Sequence, residues 1–173
     1  MLEALIFVVF PFCMVFAAIS DMVSMTIANR VSAILIATFA VVAPLTGMDW
    51  SVYGWHFAAG GLVLAVTFAM FAVGAMGGGD AKLLSATAIW MGLSVELMQY
   101  VFYGAMIGGA LTLLIIIYRR SPLSALTGNH VLLRHFANQK AGVPYGIALG
   151  IAGLLVFPAT PLAVWALERV SAS

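Results

Sequence analysis

Six long apolar runs make up most of this chain, at about 2–20, 31–46, 55–75, 81–95, 98–118 and 144–167. Polar residues collect in the short stretches between them, at 21–30, 47–54, 76–80, 96–97 and 119–143. The runs are continuous, without the alternating ten-residue pattern of a membrane barrel. An open sheet edge in lipid would leave backbone groups unpaired. A spanning helix needs about 20 mostly apolar residues. The pattern therefore predicts an all-α, polytopic membrane helical bundle of six transmembrane helices, forming one domain over 1–173. The second and fourth runs are short, which predicts less tilt or a start below the interface.

Composition strengthens this reading. Of 173 residues, 64% are hydrophobic and 8% charged, where a soluble domain carries about 25% charged residues. The natural solvent of the chain is lipid, its first expected partner. The net charge of +1 and the lack of a basic run give no reason to expect a nucleic-acid partner. Cys13 is the single cysteine, so neither a disulfide framework nor a cysteine-based zinc site is expected. The first run lacks a basic leading segment and carries Glu3, which predicts a retained helix rather than a removed signal.

Charge sorting gives the orientation. The first, third and fifth connections hold Arg30, Lys82, Arg119, Arg120, Arg134 and Lys140, whereas the other side holds only Arg169. By the positive-inside rule, these connections face the cytoplasm and both termini face out. The same map puts Glu3, Asp49, Glu96 and Glu168 outside, and leaves Asp21 and Asp80 as the two inner acids. Asp21 ends the first run; Asp80 follows Gly77, Gly78 and Gly79.

A carboxylate at the hydrocarbon edge is expensive, about 2.5–3.5 kcal/mol on insertion scales. Asp80 is expected either to share a site with Asp21 or to pair with Lys82, Arg30 or lipid headgroups. Three consecutive glycines suit a place where another chain segment comes close. Two carboxyls sharing a site do not both ionise easily; one serves as acid, the other as base. Such a pair can activate water toward a peptide carbonyl and protonate the leaving amine. This chemistry requires no metal and no cofactor. Read from its own helix end, Asp80 is the charged base and Asp21 the protonated acid.

Other constellations are weaker. His130 and His135 are five apart and so not on one helical face, which argues against a metal site. The 119–143 connection carries enough leucine and basic residues to lie at the membrane surface. Gly104/Gly108 and Gly146/Gly150 form small-residue steps that suit helix packing. Trp50, Trp55, Trp90 and Trp165 mostly fall near expected interfaces. No Ser-His-Asp set, P-loop or dinucleotide fingerprint is present.

At the two aspartates the sequence resembles a known family. Gly77-Gly78-Gly79-Asp80-Ala81-Lys82 is similar to the G-x-G-D-x-K motif of type IV prepilin peptidases. Asp21 followed by Ile27, Ala28 and Asn29 is similar to their first motif, an Asp, a basic stretch and Ile-Pro-Asn. Pro144-Tyr145-Gly146 resembles the entry to their last helix. The resemblance implies a GxGD-type aspartic endopeptidase of the bacterial inner membrane. It would remove short basic leaders from prepilins or pseudopilins at the cytoplasmic face, just after a glycine. Asp21 and Asp80 would be catalytic, Gly77, Gly78, Gly79 and Lys82 would form the active-site loop, and Ile27 and Asn29 would support the first motif.

Two departures stand out. Long family members carry an extra cytoplasmic domain with paired cysteines and also N-methylate the new N-terminus. Here the first connection is short and without cysteine, which resembles the short Flp/Tad-type enzymes and implies cleavage without methylation. The family's proline is Ala28 here, and its basic stretch is Met22 to Thr26. Archaeal preflagellin peptidases share the motif pattern. Outside this resemblance, a small proton- or cation-coupled transporter or a non-catalytic scaffold of a pilus or secretion apparatus would also use intramembrane acids. Oligomeric state is not readable from the sequence.

Overall fold

The computed structural model describes residues 1–122, Ser124, Phe136, Asn138 and 142–172. His130, His135, Arg134, Lys140 and the surface segment expected within 119–143 lie outside the described residues, apart from the ends of that segment. Among the described residues all regular structure is helical. The helices are α1 (Leu2–Ser24), α2 (Asn29–Leu45), α3 (Trp50–Ala72), α4 (Gly78–Met91), α5 (Val95–Arg120), α6 (Tyr145–Val156) and α7 (Pro161–Ser171). A single 3-10 turn, Phe157–Ala159, joins the last two.

Each apolar run has a helical counterpart, but the helices differ in reach. α1, α3 and α5 have 23, 23 and 26 residues and are long and apolar enough to cross a membrane. α6 and α7 pass that test only together, bent by 50° at the 3-10 turn. α2 has 17 residues and α4 has 14. Among the described residues three helices qualify by length and composition, or four spans with the bent pair, so the six full-length spans expected are not confirmed.

Local sequence explains the helix ends. Asp49 caps α3 by accepting from the Ser51 amide at 2.8 Å and from its hydroxyl at 2.6 Å. Those bonds hold the Asp49 carboxyl below the usual carboxylate range. α3 closes on Gly74 at φ +77. There the Gly74 N–H donates to Phe71 and the Ala75 N–H to Met70, at 2.9 and 2.8 Å. This paired pattern is the glycine-terminated helix end that satisfies the last carbonyls. It turns the chain back toward the start of α4.

α4 is the hub. It packs against α2, α3, α5, α6 and α7, while α1 packs against α2, α6 and α7. Every residue from Leu83 to Met91 is buried. Trp90, expected near an interface, sits instead at the centre with no exposed surface. Its ring lies 5.0 Å from Phe10 and 5.9 Å from Phe39, and its indole N–H donates to the Leu35 carbonyl at 3.0 Å. Trp50 and Trp55 are exposed. Cys13 is buried and free, as its packing role requires.

Candidate active site

The C-terminal turn of α1 carries Asp21, and the first turn of α4 carries Asp80. The helices extend further than the apolar runs suggested, so both acids lie inside helices rather than in loops. Their side chains line the same cleft, of about 640 Å³. Its wall also includes Met25, Met70, the Gly74–Gly77 turn, and Gly142, Val143 and Tyr145 at and before the start of α6. A smaller cavity of about 290 Å³ has both acids again, with Thr26, Ile27, Asn29 and the three glycines.

Asp21 is buried to 6% exposure. Its Oδ2 accepts from the Gly146 backbone N–H at 2.7 Å. Gly146 lies in the first turn of α6, where unpaired N–H groups and the positive end of the helix face an anion. Gly146 also has to be glycine. A Cβ there would lie 2.8 Å from Asp21 Oδ2 and 2.8 Å from Ile27 Cδ1. Sequence reasoning read Gly146 as a packing residue and as part of a motif. The residue type carries no mark of an N–H donor aimed at a carboxylate, because every residue but proline has that group.

The own-helix assignment of acid and base omitted this contact. It weighed Asp21 against the end of α1 alone, whereas the start of α6 also faces it. Asp80 has no hydrogen-bond partner and no ion pair with Lys82 or Arg30 among the described residues. Its Oδ2 lies over Gly77, 2.9 Å from where a Cβ there would sit.

The three glycines serve space, not backbone conformation, since none of them has positive φ. A Cβ at Gly79 would meet the Ile27 Cβ at 3.3 Å, and one at Gly78 would meet the Phe71 ring at 3.2 Å. Ile27, buried to 8% exposure, thus wedges between Gly79 of α4 and Gly146 of α6. Lys82 donates to Asn29 Oδ1 at 2.9 Å, which ties the start of α4 to the start of α2. All eight residues singled out in the sequence therefore gather at one end of the bundle.

The connection before α2 is held tightly. Ser20 donates to the Thr26 carbonyl at 2.8 Å, and the Ser24 and Thr26 hydroxyls are 2.8 Å apart. Met25 adopts φ 54, a left-handed conformation rare for such a residue. This turns the chain sharply at the end of α1 and puts Met25 on the wall of both cavities. Met25 is a site residue that no sequence signal indicated. Ala28, in the place of the family's proline, has φ −66, the angle that a proline ring imposes.

Among the described residues, no group of three or more His, Cys, Asp and Glu side chains could hold a metal ion. What the site offers is a pair of carboxyls in one cleft, one of them gripped by a helix start. The family described as type IV leader peptidases matches residues 8–118. No curated protein and no solved structure matches the chain.

Proposed function

The chain belongs to the type IV leader peptidase family, and from that premise we propose that it removes prepilin and pseudopilin leaders by aspartic catalysis at Asp21 and Asp80. The observation that carries this reading is the shared cleft, with Gly146 holding one of its two carboxyls. In the proposed mechanism Asp21, anchored through Oδ2, is the base. It takes a proton from a water whose oxygen bonds to the scissile carbonyl carbon. Asp80, carrying the shared proton, delivers it to the leaving amine as the C–N bond breaks. Gly78 and Gly79 let the start of α4 come close to Phe71 and Ile27, Gly77 leaves room for the Asp80 carboxyl, and the Lys82–Asn29 bond ties that start to α2.

The substrate class is the Flp type or a related short type IV pilin, and the protein acts without N-methylation. The short, cysteine-free connection between α1 and α2 supports this. The site faces the cytoplasm of a bacterial inner membrane with both termini outside. Arg30, Lys82 and Arg119, in the end turns of α2, α4 and α5 that the positive-inside rule puts there, support that orientation. Residues 1–173 act as one peptidase domain, which the contiguous core drawn from α1 to α7 supports.

The test is cleavage of co-expressed prepilin, read by gel shift. Asp21→Asn and Asp80→Asn each lower cleavage by about 10²–10⁴-fold, the range for losing an acid or base group, with expression and folding retained. Asp→Glu at either position fails too, since a dyad is held to within about 0.5 Å. Cleavage that survives both Asn variants overturns the reading; flux lost without any processing defect would indicate a transporter instead.

A further inference from the structure

A second cavity, of about 360 Å³, opens beside the first. Leu62 and Val66 of α3 form one wall and Gly104 and Ala105 of α5 the other, over a floor of Leu84 and Leu149. α3 packs on α4 and α5 packs on α6, but α3 and α5 have no extended packing against each other. The gap between them stays open on its outer side, where Leu62 and Val66 are 56% and 55% exposed. Met70, Met76 and Tyr145 line this cavity and also the cleft of the two aspartates. The two spaces therefore adjoin, with those three side chains at the threshold between them.

The geometry points to this groove as the seat of the substrate's own apolar helix, the segment that follows its scissile bond. The inference rests on the peptidase reading and adds where the substrate is held. The walls are apolar, and the Thr67 hydroxyl in them is already bound to the Val63 carbonyl at 2.8 Å. Apart from Tyr145 at the threshold, no lining side chain is free to satisfy an unpaired backbone, so a peptide lying in the groove has to be helical. Ala105, small and exposed, keeps the α5 wall low, which lets a helix backbone come close. At the threshold the walls give way to carboxyls, where an extended bond can be attacked. An apolar helix joined to a cleavable polar leader matches this change in lining; a lipid acyl chain would match only the groove.

From Leu62 to Met70 the helix rises by eight residue steps, about 12 Å at the usual rise. The groove therefore reads about two turns of the substrate beyond the threshold. This makes the first two turns of the mature segment the part whose side chains set KM.

Two measurements test the assignment, on the full chain with a full-length precursor. A photo-crosslinking residue at Leu62 or Val66, in the Asp80→Asn background, should capture the precursor. The same probe at Val8, a lipid-exposed position on α1, should not. Ala105→Trp, which fills the groove, should raise KM for the precursor about tenfold and change kcat by less than about threefold, while Val8→Trp leaves both at wild type. Crosslinks to lipid alone at positions 62 and 66, or an unmoved KM in Ala105→Trp, overturn the groove assignment. If in either case Asp21→Asn and Asp80→Asn remain inactive, the peptidase reading stands without it. Cleavage by those two variants would instead sink the peptidase reading.

Discussion

Asp21 shows how much one backbone group can decide. Its charge and position were visible in the sequence, but its hydrogen bond comes from Gly146, 125 residues away. Gly146→Ala puts a Cβ against Asp21 Oδ2 and Ile27 Cδ1. Cleavage should fall at least about tenfold, because a shift of about 1 Å at a reacting group costs on that scale or more. Gly109→Ala, with nothing within 4 Å of its Cβ, should cleave normally; equal activity in both variants would show that the contact is not needed. Ala28 offers the opposite case. Its φ of −66 already suits proline, and among the described residues its N–H has no hydrogen-bond partner. Ala28→Pro should stabilise the protein by about 0.4–1 kcal/mol through a less free unfolded chain, with cleavage retained. A lower unfolding midpoint would show that the chain before α2 needs an angle that proline denies.

At the level of elements, α4 is held by glycine contacts that the apolar pattern does not disclose. Gly60 of α3 faces α4, where a Cβ would run into the Ile89 side chain and come within 3.2 Å of the Ser85 carbonyl oxygen. Gly61, one residue on, has open space. Gly60→Ala should therefore destabilise the protein by about 1–3 kcal/mol through overpacking. Gly61→Ala should be neutral or gain up to about 1 kcal/mol from helix propensity. Denaturation of the two variants in one detergent compares them directly, and equal midpoints would mean that α3 and α4 are free to separate. The sequence marks both glycines alike. The small-residue steps at Gly104/Gly108 and Gly146/Gly150 were legible as packing, and Gly150 does meet Met14 and Ala18 of α1 closely. Which helix each step faces was not legible, since a glycine fits any close neighbour.

For the molecule as a whole, the path from α1 to α2 crosses only Met25 to Ala28, and its hydroxyl bonds close it tightly. No extra cytoplasmic module fits in that connection, so pilin processed by this protein alone should carry an unmethylated N-terminus. Mass spectrometry of the mature pilin reads this directly, and an added methyl group would refute it. The helical class, the apolar helices suited to a membrane, and the choice of Asp21 and Asp80 all came from hydropathy and charge. Those signals are local, and lipid imposes them on any chain that enters it. Hydropathy does not say which apolar surface meets protein and which meets lipid, because the two environments are alike to a leucine or a tryptophan. That is why Trp90 looked like an interface residue and why α4 looked like one more span. The third dimension settled their burial, closed the end of α1 on Met25, and brought the start of α6 onto Asp21. Contacts between segments remote in the chain leave no periodicity behind, so only the packed structure could reveal them.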